Sequence, residues 1–97
     1  MASTRIAGNQ ITDKLLEAEA AIDAAIAAVA ALTSAIPTAT QQAQVGMHIT
    51  QEALMHAMES CQQLVKSRTN IIRTHSALRS AQDAVGLGMV DFSPKGA

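Results

Sequence analysis

Between residues 10 and 32 the side chains Ile11, Leu15, Ala18, Ile22, Ala25, Val29 and Leu32 recur at alternating spacings of four and three. That rhythm holds one stripe of an α-helix toward a single neighbour, because seven residues make almost two helical turns. A strand pattern would need a period of two, which this segment lacks. The first expectation is therefore an all-α fold in which helices pack on helices, as an antiparallel two-helix hairpin.

The core of such a fold is thin here. The chain has 97 residues, 48% of them hydrophobic and 15% charged, which suits one small domain. Twenty residues are alanine and only Phe92 is aromatic, so burial depends on small and aliphatic side chains. Small chains of this kind are usually stabilised by disulfides, a metal or self-association. Cys61 is the only cysteine, which leaves it no partner in its own chain, and it reads as a small core hydrophobe, with an intermolecular disulfide or a reactive thiol as the alternative.

Punctuation along the chain sets the expected boundaries. Residues 1–9 read as a loose start, with Asn9 or Thr12 as the cap of a helix running to about Leu32, roughly 35 Å. Thr33, Ser34 and Pro37 then break the pattern, and Thr38-x-x-Gln41 has the form of a capping box, which puts a turn near residues 33–38. A second helix follows from about Ala39 to Val85, roughly 70 Å, with Gly46 as its internal weak point and Gly86 as its stop. The hairpin thus spans 10–86, and 87–97, with Gly88, Pro94 and Gly96, reads as a flexible tail.

Folding about residue 36 sets Gln10 opposite Gln62 and leaves residues 63–85 uncovered. That overhang carries Leu64, Val65, Ile71, Ile72, Leu78 and Val85, the candidate interface, and an exposed apolar strip of several turns calls for another chain. An alternative makes residues 37–46 a long bend centred near Ala43, with Asp13 near Arg73 and Glu17 near Thr69. Ala57, Leu64, Ile71, Leu78 and Val85 form one seven-residue row, and Met58, Val65 and Ile72 a second beside it, with Leu54, Cys61, Arg68 and His75 between them. Two rows serve two neighbours: the first helix, and a second copy in a four-helix bundle or larger helical homo-oligomer. Arg68 and His75 either pair with carboxylates there or snorkel to water. Charge is segregated too. Residues 1–60 hold two basic and six acidic side chains, net −4; residues 61–97 hold five basic and two acidic, net +3.

His48, Glu52, His56 and Glu59 fall on one stripe of the second helix at spacings of four, four and three, and form the candidate metal site. Imidazole and carboxylate suit zinc, iron or copper, although the run lacks the Glu-x-x-His and His-Glu-x-x-His patterns. A solvated polar face accounts for the same residues. Met47, Met55 and Met58 read as core filler. Ser60, Ser67 and Cys61 share the helix with histidines, but a straight hairpin offers little room for a catalytic pocket, so no enzyme and no cofactor is expected. Lys66, Arg68, Arg73 and Arg79 form a modest basic run, yet the net charge of −1 and the lack of stacking aromatics argue against nucleic acid. The apolar run 24–32 is too short to span a bilayer and follows acidic residues, unlike a signal peptide, so a cytoplasmic, phage-particle or signal-less secreted protein is expected.

In outline the chain is similar to the small Trp-x-Gly helical-hairpin proteins exported by type VII secretion, which are about this length and have a central turn. Gln44-Val45-Gly46 stands where that motif falls: the glycine matches, and glutamine occupies the tryptophan position. Leu87-x-x-x-Asp91 departs from the tyrosine-led export signal. The resemblance implies paired hairpins and export, without catalytic residues. From the residues themselves, the expectation is a self-associating structural or adaptor protein with its partner face on the second helix.

Overall fold

A computed structural model describes residues 2–84, with side chains from Arg5 onward. Helix α1 runs Ala2–Ala43 and helix α2 Met47–Ala84, and together they form an all-α hairpin. The expected loose start at 1–9 is helical from Ala2. The expected tail at 87–97, the stop at Gly86 and the interface candidate Val85 lie outside the described residues.

The turn expected at 33–38 is not there. Pro37 sits inside α1, and the chain reverses at Gln44-Val45-Gly46 instead. The alternative over 37–46 contains the reversal, which falls at its far end beside Ala43, but residues 37–43 are helical and not part of a long bend. Pro37 has no amide to give the Thr33 carbonyl and would ordinarily break the helix. Threonine hydroxyls bond back to carbonyls four residues earlier on both sides of it, a pattern compatible with a helix that bends around the proline: Thr33 donates to the Val29 carbonyl at 2.8 Å, Thr38 to Ser34 at 3.3 Å and Thr40 to Ile36 at 2.7 Å. Thr38 therefore bonds backward within a helix rather than capping a new one. Thr12 likewise donates to the Gly8 carbonyl at 3.0 Å in mid-helix.

A Schellman motif closes α1. The Val45 amide bonds the Thr40 carbonyl at 3.3 Å and the Gln44 amide bonds Gln41 at 3.1 Å, with Gln44 in the left-handed region at φ 56°. Gly46 is not inside a helix. Its carbonyl accepts the Ile49 amide at 3.0 Å, and a Cβ there would come within 2.7 Å of the His48 ring.

The chain comprises two compact units. One joins α1 up to Ala21 with α2 from Arg68 onward. Gly8, Thr12, Leu15, Ala18 and Glu19 of α1 and Ile71, His75, Leu78 and Gln82 of α2 are its buried or half-buried positions. His75 Nδ1 lies 3.5 Å from Glu19 Oε2, with both side chains largely shielded. Of the two options open for His75, the structure takes the carboxylate pair. Glu19 makes this contact, where the two turn readings had set Gln10 opposite Gln62, or Asp13 and Glu17 near Arg73 and Thr69.

The other unit, Ile22–Ser67, contains the turn. Ile22, Ile26, Val29, Thr33, Ile36 and Thr40 face Thr50, Leu54, Ala57, Cys61 and Leu64. Thr40 is buried, and its hydroxyl, whose proton goes to Ile36, accepts one from Thr50 at 2.7 Å. Each unit thus closes on a polar pair between the helices.

With residues 37–43 helical, α1 is long and apolar enough to cross a membrane by length and composition: between Arg5 and Ala43 it holds an 18-residue window of mean hydropathy 1.7. The expectation that the apolar run is too short rested on a break at residue 33. Alanine supplies much of that hydropathy, and it contributes less to insertion than leucine or isoleucine.

Two substitutions test the turn. Pro37→Ala restores an amide and should raise stability by about 1–3 kcal/mol, while Gln44→Gly relieves the left-handed residue and should add roughly 0.5–1 kcal/mol. Both are read from thermal melts followed by circular dichroism at fixed protein concentration.

Candidate functional site

The metal stripe is not assembled. His56 lies between two carboxylates, Nε2 to Glu52 Oε1 at 3.5 Å and Nδ1 to Glu59 Oε2 at 3.8 Å, all three side chains well exposed. His48 stands apart at the start of α2, its ring over Gly46. Among the described residues no group of three or more His, Cys, Asp or Glu is placed to hold a metal ion. Within one chain the candidate set His48, Glu52, His56 and Glu59 is a solvated run of local pairs. The reason is helical rise: His48 and Glu59 are eleven residues apart, about 16 Å along the axis, so one helix cannot bring all four donors to a common point.

The interface candidates divide by row. Leu64, Ile71 and Leu78 are half-buried on the α1 side of α2, so the hairpin itself covers part of the proposed overhang. The second row faces water, with Met58 53%, Val65 50% and Ile72 56% exposed. The argument that residues 63–85 lack an intramolecular partner does not hold once α1 extends to Ala43. What survives is the outward row.

Helical phase explains this division. On α1 the row Leu15, Ile22 and Val29 is shared between two possible seams. One adds Ile11, Ala18, Ala25 and Leu32, as the sequence pattern proposed; the other adds Thr12, Glu19, Ile26, Thr33 and Thr40. The second set is buried or half-buried throughout, whereas in the first only Ala18 and Ala25 are half-buried and Ile11 and Leu32 are exposed. Glu19 and Thr40 reach His75 and Thr50 only in that phase. Shielding either member without its partner would carry a desolvation cost.

In the Ile22–Ser67 unit the outward face of α2 borders an open groove of about 750 Å³, walled by Ala30 and Thr33 of α1 and by Met58, Cys61, Gln62 and Val65 of α2. Small residues on the α1 wall leave width for another chain's side chains. Cys61 is half-buried there and carries a free thiol. Sequence reasoning missed two members of this face. Met55, 60% exposed, read as core filler, and Gln62 entered only as the residue opposite Gln10. Their signal was present as the spacing of three, four and three across Met55, Met58, Gln62 and Val65.

Comparison with protein-family models, curated proteins and solved structures finds no match to this chain. Its function must be argued from its own surface.

The local pairing around His56 carries a direct expectation. Zinc added in modest excess to the folded protein should leave its melting temperature and solution mass unchanged, and His48→Ala with His56→Ala should not alter that response. A metal-dependent gain in either quantity would restore the stripe as a ligand set.

Proposed function

We propose that this chain is a non-enzymatic, self-associating helical structural or adaptor protein that works by packing the outward face of α2 against further helices. One observation carries the reading. Leu15 and Ala57 are the buried apolar residues among those described, no side chain is fully buried, and eleven large apolar side chains are exposed. A hairpin in that condition has much of its hydrophobic stabilisation still to gain, about 1 kcal/mol for each half-exposed Met, Val or Ile that a partner covers. Of the exposed side chains, Met55, Met58, Val65 and Ile72 follow one another along a single face of α2, and an apolar row of that kind marks an interaction surface. The polar seam partners of α1 and the charges spaced along α2 support assembly in water over insertion into lipid.

A second reading is favoured by the position of the turn. The chain reverses at Gln44-Val45-Gly46, the place of the Trp-x-Gly motif in the paired hairpins of type VII export. Under that reading the same face of α2 meets a related hairpin, and the protein accumulates outside its native host.

Solution mass by light scattering after size exclusion tests the first reading, with refractive-index detection because the chain has no Trp or Tyr. A discrete multiple of 10.1 kDa is expected. Val65→Asp and Ile72→Asp should each lower the mass at a given concentration, and helicity should fall with it because the isolated hairpin is marginal. A stably helical monomer at micromolar concentration would refute self-association.

A further inference from the structure

We infer that the occupant of the outward face of α2 is the α2 helix of a second copy, laid antiparallel about a twofold axis passing near residues 63 and 64. The inference rests on the self-association proposed above and specifies its geometry.

The apolar row has the spacing of a coiled-coil seam. Met55, Met58, Gln62 and Val65 follow at three, four and three residues, and the same heptad runs on along the continuous helix to Thr69 and Ile72. Leu54, Cys61 and His75, on one flank of this seam, are half-buried toward α1. The other flank is solvent-facing and carries a charge at every seventh position: Glu52, Glu59, Lys66 and Arg73. The Glu52 and Glu59 side chains are 90% and 62% exposed, with the His56 imidazole as their near neighbour.

This order of signs, acid, acid, base, base, is self-complementary in one orientation. When two such helices run antiparallel, equivalent flanks meet. Glu59 then comes opposite Lys66 of the second copy and Glu52 opposite its Arg73, and the symmetry repeats both pairs. The seam layers fall into step with those pairs: Met55 meets Ile72, Met58 meets Thr69 and Gln62 meets Val65, each from the other copy. A parallel pairing sets Arg73 against the second copy's Arg68 and Glu59 against its Leu54, which wastes the glutamates and repels the cations. Gln62, polar at a seam position near the axis, penalises slipped registers that would bury it among aliphatic side chains. The groove between Met58, Gln62 and Val65 on α2 and Ala30 and Thr33 on α1 gives the incoming helix a second wall, so two hairpins make a four-helix bundle.

Charge reversal tests the pairing. Glu59→Lys and Lys66→Glu each convert two attractive contacts per dimer into repulsive ones and should raise the dimer Kd roughly tenfold. The combined variant Glu59→Lys/Lys66→Glu restores opposite signs and should return the Kd to within about threefold of the parent. Sedimentation equilibrium with interference optics at fixed salt reads the constants, and circular dichroism at matched occupancy separates weakened pairing from unfolding. Single variants that dimerise like the parent, or a combined variant that fails to recover, overturn the antiparallel seam while leaving self-association standing. A parent chain that remains monomeric overturns both.

Discussion

Two helices share one line of contact, and everything else in this molecule follows from how that line is used. A helix presents roughly a third of its circumference to a single neighbour, so a hairpin can bury one row of side chains from each helix and the edges of the next. Both helices here carry more apolar surface than that. Whatever row is turned inward, another is left facing water, and the protein's surface chemistry is set by which row loses.

Polar groups decide that competition. Glu19 and His75 meet in one unit, Thr40 and Thr50 in the other, and each pair forms only if the helices adopt the mixed seam rather than the more apolar one. A shielded carboxylate or hydroxyl without a partner carries a desolvation cost, and satisfying these two pairs accompanies the exposure of Ile11 and Leu32. The outward row Met58, Val65 and Ile72 is the counterpart on α2. Exposure of that row is thus a consequence of specificity inside the hairpin. Those side chains are also the ones whose heptad and flanking charges are self-complementary.

The position of the turn follows a similar balance between local preference and tertiary contact. Pro37 disfavours helix, and glutamine is a poor residue for the left-handed position it takes at Gln44. Contacts on both sides of the proline, with Ile36 half-buried before it and Thr40 bonded to Thr50 after it, hold the final turns of α1 against α2. Moving the reversal from residue 36 to residue 45 supplies enough of α1 to flank α2 as far as His75 and beyond. An expected apolar overhang becomes an ordinary seam, and the remaining exposure is a stripe along the helix instead of a protruding end.

Periodicity alone determined that this chain is helical, that its helices pack on one another and that α2 bears two apolar rows, because spacing along a helix maps directly onto faces. Leu64, Ile71 and Leu78 against Val65 and Ile72 could be sorted into rows from the sequence, and the charge order from Glu52 to Arg73 was also there to be read. Tertiary structure decided where the chain turns, which row faces inward and whether the histidine stripe converges. Those outcomes depend on contacts between residues far apart in sequence, such as Glu19 with His75, whose energies compete with local propensities of similar size. The His48, Glu52, His56 and Glu59 pattern shows the limit most plainly. A shared stripe is a statement about direction, whereas a metal site needs three or more donors at one point, and the eleven residues from His48 to Glu59 spread these four too far along the axis.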